Sequence, residues 1–238
     1  MKGVIKLARI AGIPIKLHWS FIFLLLWIGY VSYREMLSTG EALYFFLLVF
    51  CLFVCVIAHE YGHALTARTY GVPTRDILIL PIGGLARLEY LPPEPKKEIV
   101  IAIAGPLVNV LIAIVLGVFI LISEGVEGWK AIKTFQDLLS PIGLVYAVLL
   151  LNITLFFFNL IPAYPMDGGR ILRSLFSLKW GRKKATIYAS YLAQFIGLGF
   201  FGFSLFGDHF TLALIGVFIF FTARWERRAI SSDYMSII

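Results

Sequence analysis

The chain has 238 residues, of which 60% are hydrophobic and only 15% charged, with a formal charge of +7. A soluble domain carries roughly a quarter charged residues and about half apolar ones, so the composition excludes an ordinary soluble fold, along with disorder, collagen and disulfide scaffolds. The surplus of Lys and Arg forms no single patch but alternates with long uncharged runs, which argues for membrane topology in a lipid bilayer and against a nucleic-acid partner.

Those runs predict six transmembrane helices at about 17–34, 42–67, 99–123, 139–163, 185–206 and 209–223, close to the roughly 20 residues that a span needs, the last being the shortest. The expected fold is an all-α polytopic membrane protein with six transmembrane helices, forming a single membrane-embedded domain over 1–238. With the N-terminus in the cytoplasm, 18 Lys and Arg fall inside and only Arg34, Lys130 and Lys133 outside. That split predicts a multi-pass protein of the cell membrane with both termini cytoplasmic. The N-terminus lacks the pattern of a removable signal peptide. Gly207-Asp208-His209 reads as a tight turn between the last two spans.

The second span ends in His59-Glu60-Tyr61-Gly62-His63, which matches HExxH. Positions four apart on a helix lie about 40° apart on one face, so two imidazoles there can grip one zinc ion. The Glu between them can take a proton from an attacking water, and one further ligand is needed. A solvated His-Glu-His cluster is the bland alternative, but a charge deep in a span is costly without a role. A helix starting near Glu41 puts His59 about 27 Å along its axis, toward the cytoplasmic side. Cys51 and Cys55 continue the same four-residue step, and read as small apolar fillers rather than thiolate ligands.

Residues 75–90, with Leu78-Ile79-Leu80-Pro81 and Gly83-Gly84, read as two short strands around a turn, a β-hairpin near the active site. Its edge would suit an unwound peptide; a plain connector is the competing reading. At the end of the fourth span, Asp167 is the one intramembrane carboxylate besides Glu60, and thus the candidate third ligand. It equally suits the cap of the helix that follows, and both roles are compatible. Asn152 and Asn159 lie seven apart on one helix face and either present amides toward the metal or bond between helices. Gly197, Gly199, Gly202 and Gly207 make the fifth span glycine-rich, which suits close packing or a movable gate.

Together His59-Glu-Tyr-Gly-His63, Gly83-Gly84, Gly105-Pro-Leu-Val-Asn109 and Asn159-Leu-Ile-Pro-Ala-Tyr-Pro-Met-Asp167-Gly168-Gly169 resemble the motif set of the site-two protease family of intramembrane zinc metalloproteases. The resemblance covers about half the chain, from the second span through the fourth. It implies cleavage in or near a transmembrane segment of a membrane-protein substrate, one zinc held by residues matching His59, His63 and Asp167, and Glu60 as catalytic base. Met166 stands where Leu is frequent in the family. The spacing leaves no room for a PDZ domain between His63 and Asp167, and only 225–238 follow the sixth span, so the chain is similar to the sporulation-type and archaeal branch without its CBS domain. Asn159, Asn152, Gly83 and Gly84 are the candidate substrate-binding residues. Partners beyond the substrate remain open between a regulatory membrane protein and a homo-oligomer. The rival functions are an intramembrane metal-ion transporter and a proteolytically silent zinc-binding scaffold.

Overall fold

The computed structural model describes residues 3–125, 135–207 and 209–235. Lys130, Lys133 and the turn at Asp208 lie outside them. The protein is predominantly helical, with a small β-sheet, and the backbone forms two compact units. One comprises 1–90 and 104–156, the other 91–103 and 157–238.

The first unit opens with strands β1 (Val4–Ile10) and β2 (Ile13–His18), joined through Ala11 and Gly12, both of positive φ. Helix α1 (Phe21–Arg34) and helix α2 (Thr39–Thr69) then lead to β3 (Thr74–Leu80) and β4 (Gly83–Leu88). The sheet order is β1-β2-β3-β4, with β2 parallel to β3 and the other pairs antiparallel. The hairpin over 75–90 is therefore present, but as half of a four-stranded sheet. Leu17 and His18 close β2, so the first helix starts at Phe21 rather than at the head of the uncharged run.

A capping box sets the start of α2: Ser38 Oγ accepts from the Glu41 N–H, while Glu41 Oε2 accepts from the Ser38 N–H at 2.8 Å. The sheet packs on this helix, with Ile13 and Ile77 against Tyr61 and Ala64, and Ile15 and Ile79 against Phe53 and Ile57. Arg68 reaches back to donate to the Ala11 carbonyl at 2.6 Å. The half of α2 that carries His59 and His63 is thereby packed against the sheet.

Within the sheet, Asp76 of β3 is fully buried and receives Lys16 Nζ of β2 and Arg87 Nε of β4, both at 2.5 Å. Burial alone would push its carboxyl up, but the hydrogen bonds and charges of Arg87 and Lys16 hold it below its ordinary value. A carboxylate lowered by folding stabilises above its unfolded pKa of about 4, and that stability is lost as pH falls through the folded value. Between pH 6 and pH 3 the parent is expected to lose more thermal stability than Asp76→Asn, measured as the shift in melting temperature. Equal losses would remove this ion pair from the acid response.

Helix α3 (Pro95–Glu124), the single turn α4 (Phe135–Leu138) and helix α5 (Pro141–Asn159) follow. Helix α6 (Asp167–Ser204) is broken at Gly181, whose φ of 72° and ψ of 160° are not helical, and α7 is Phe210–Met235. Among the described residues α2, α3, α5 and α6 are long and apolar enough to cross a membrane, while α1 is a shorter apolar helix of 14 residues.

In the second unit, small residues let α6 and α7 approach. Ala189 and Ala193 pack against Ile219 and Ala223, and a Cβ at Gly197 would stand 2.7 Å from the Gly216 carbonyl oxygen. Close packing thus accounts for Gly197; Cβ atoms at Gly199 and Gly202 would meet nothing within 4 Å. The buried Arg173 is paired with Glu98 and with Glu226, the latter at 2.8 Å, and lies over the Tyr164 ring. These partners fix the turns that follow Asp167.

Candidate metal centre

The HExxH segment lies inside α2, and its helical repeat brings the two imidazoles together as the spacing requires. The Nε2 atoms of His59 and His63 are 3.0 Å apart, with the rings nearly perpendicular at 84°. Two ligands of one tetrahedral zinc would be separated by roughly 3.3 Å, given metal–nitrogen bonds near 2.0 Å. Both histidines are buried. The pair therefore fits a single cation.

The tautomer of His59 is set from behind. Its Nδ1–H donates to Asn109 Oδ1 at 2.6 Å, leaving the Nε2 lone pair for a ligand. Asn109 in turn donates through Nδ2 to Asn152 Oδ1 at 2.9 Å, and Asn152 donates to the Val148 carbonyl and to Cys55 Sγ. Asn109 and Asn152 are fully buried. Asn152 thus holds the amide that orients a histidine, rather than presenting its own amide beside the imidazoles. Cys55 is an acceptor at the far end of this chain.

Sequence reasoning missed Asn109 as a functional residue. Its signal was an amide buried in an otherwise apolar helix, which demands a partner. The same motif explains Gly105: a Cβ there would fall on the ring nitrogens of both histidines. At Gly62 a Cβ would stand 2.6 Å from the Ala104 carbonyl oxygen, so the Gly within the HExxH motif lets α2 and α3 touch along their backbones.

Glu60 is half-buried and turns to β4, where its Oε2 accepts the Ala86 N–H at 2.7 Å. Gly84 comes against the same side chain, for a Cβ there would be 2.9 Å from Glu60 Cγ. Gly83 has a φ of 140° and begins β4 directly after the turn.

In the second unit Asp167 is buried at the first position of α6. The N-cap is Met166, with extended backbone and no side-chain cap bond, so the capping position falls one residue before the carboxylate. Gly168 and Gly169 allow this helix start to sit on the Leu160, Ile161 and Ala163 backbone, which a Cβ at either would strike. Asn159 is the half-buried last residue of α5.

A family model described as Peptidase family M50 matches residues 47–202. Zinc metalloprotease MJ0392 of Methanocaldococcus jannaschii is 40% identical over 234 residues, covering 98% of this chain and 63% of its own length. Putative zinc metalloprotease Rip3 of Mycobacterium tuberculosis is 29% identical, with 99% of this chain and 61% of its own length covered. The chain therefore spans about three fifths of the length of these relatives. Among solved structures, a site-2 protease from Methanocaldococcus jannaschii superposes with a TM-score of 0.66 at 41% identity, over 94% of this chain and 95% of that one.

Proposed function

The chain belongs to Peptidase family M50, and from that premise we propose that it is an intramembrane zinc metalloprotease that hydrolyses a peptide bond in or near the transmembrane segment of a membrane protein. The observation that carries the reading is the 3.0 Å convergence of two buried imidazole nitrogens with a glutamate one residue along the same helix. His59, His63 and Asp167 are the zinc ligands in this proposal, one ion per chain. In support, all three are buried and are of the side-chain types that zinc takes as ligands. The relatives' names, zinc metalloprotease MJ0392 and Rip3, speak for zinc.

A bound zinc supplies a Lewis acid that polarises the scissile carbonyl and acidifies water. The protein supplies the rest. Glu60 removes a proton from the attacking water and passes it to the leaving amine, so that the water's hydroxyl ends on the new carboxyl and its proton on the new amine. Asn109 and Asn152 keep His59 in one tautomer and one orientation. Asn159 and the β4 residues Gly83 and Gly84 are proposed to hold the substrate strand, which must unwind because helical amides are shielded. Six spans, cytoplasmic termini and a cell-membrane location complete the reading, supported by the 18 to 3 division of basic residues.

Two experiments test it. Purified protein incubated with a membrane-tethered reporter is expected to lose cleavage on treatment with a zinc chelator and to regain it on adding zinc; cleavage indifferent to chelation would end the metalloprotease reading. For topology, cysteines placed singly at Lys96 and Lys183 in a Cys-free background should be labelled from the cytoplasm, and one at Lys130 from outside. Labelling of position 130 from the cytoplasmic side would invert the topology.

A further inference from the structure

Strand β4 ends its sheet: among the described residues it pairs on one side, with β3. Residues two apart on a strand point their backbone N–H and C=O groups to the same side, so Gly84 and Ala86 share an edge. It is the edge away from β3, because the Ala86 N–H goes to Glu60 Oε2 and not to a strand partner. The glutamate side chain follows this edge closely, for a Cβ at Gly84 would meet Val56 Cγ1 at 2.8 Å and Glu60 Cγ at 2.9 Å.

An extended peptide that adds to β4 needs the same N–H. Strand addition works by exchanging backbone hydrogen bonds along an edge, and a backbone amide has one hydrogen to donate. The carboxylate of Glu60 and a carbonyl of the incoming chain are therefore competing acceptors for Ala86. We propose that the Ala86 N–H is a positioning donor that latches Glu60 in the resting protein and passes to a backbone carbonyl of an extended substrate segment, so that strand docking and release of the base are one event. The docking partner is an unwound polypeptide segment. The interior carbonyls of a helical segment are already engaged within the helix, so such a segment leaves Glu60 latched. What the released carboxylate then does rests on the protease reading; the competition for Ala86 does not.

The test measures binding, without turnover. A fluorescein-labelled dodecapeptide of alternating Val and Thr is titrated into the full chain in detergent, and anisotropy gives Kd for the parent, Glu60→Ala, Ala86→Pro and the double variant. Glu60→Ala should bind about tenfold tighter than the parent, the size of one charge-assisted hydrogen bond returned to the edge. Proline removes the N–H at a position outside the ladder, where a strand edge tolerates it, so the tightening should vanish in the Ala86→Pro background. If the proline variant fails to fold, lactate in place of Ala86 removes the same N–H as a backbone ester. A peptide copy N-methylated on alternate residues should bind at least about tenfold more weakly.

An unchanged or weaker Kd in Glu60→Ala overturns the proposal. So does tightening that survives in the proline or ester background, which would assign it to charge or bulk, and so does absence of binding by the unmethylated peptide. A parent that binds the peptide as expected yet cleaves no membrane-tethered reporter would defeat the protease reading alone.

Discussion

Glu60→Gln is expected to retain its metal and lose cleavage by at least about 10³-fold, within the range that positioned acid–base groups contribute. The change keeps the shape of the side chain and leaves an amide oxygen that can still accept from the Ala86 N–H, now bonded at 2.7 Å. It leaves the His59 and His63 pair and its Asn109 support untouched. What it removes is the capacity to take a proton from water and return it to the leaving amine. Zinc content by elemental analysis and reporter cleavage on the same preparation separate the two effects. Cleavage within a few-fold of the parent would take the catalytic role away from Glu60 and require another proton acceptor. Loss of zinc together with activity would instead mean that the glutamate helps to build the site.

The legible parts of this fold were those that depend on neighbours in sequence. The His59 and His63 convergence follows from helical geometry alone. The hairpin of β3 and β4 announced itself by two apolar runs around Pro81 and Ile82. Its extension into four strands did not, because β2 and β3 pair in parallel across some sixty residues, with Ile15 opposite Ile77. Such pairing leaves no local period to read, and β1 is exposed along nearly its whole length, so it lacks the alternation of a half-buried strand.

The site divides along the same line. Histidines and carboxylates in an apolar run stand out because burial is expensive for them. The second layer was harder to see. Asn109 carried a signal of the same kind, but its partner His59 is fifty residues away, and only the folded chain shows that the amide selects a tautomer. Asn152 was recognised as polar with two readings open, and of these it follows the interhelical one, bonding to Asn109 and Cys55. The Ala86 contact had no signal at all: every residue except proline has an N–H, and which one meets Glu60 is decided by the register of β4.

Asp167→Asn separates the two roles that the sequence left open for this residue. As a helix cap the side chain would contribute about 0.5–2 kcal/mol, and asparagine would replace it with little loss. The capping position is held by Met166 and Asp167 is the first residue within α6, where a carboxylate still favours the helix dipole and an amide serves almost as well sterically. As the third zinc ligand the carboxylate has a demand that asparagine does not meet, for a neutral amide is a poor ligand and brings no charge to offset the cation in a buried site. Burial of Asp167 sharpens the contrast, since a buried carboxylate is costly unless it is paired or coordinates a metal. The variant is therefore expected to insert and melt close to the parent, to be inactive, and to hold zinc at least about tenfold more weakly, since changing even a group behind a ligand costs about 10–100-fold in metal affinity. The decisive measurement is zinc affinity by competition with a chelator of known strength, taken beside the melting curve. Full zinc affinity and full proteolysis in a stable Asp167→Asn protein would mean that the third ligand lies elsewhere. A destabilised variant with parental zinc affinity would return Asp167 to the helix start and leave the histidine pair in need of another partner.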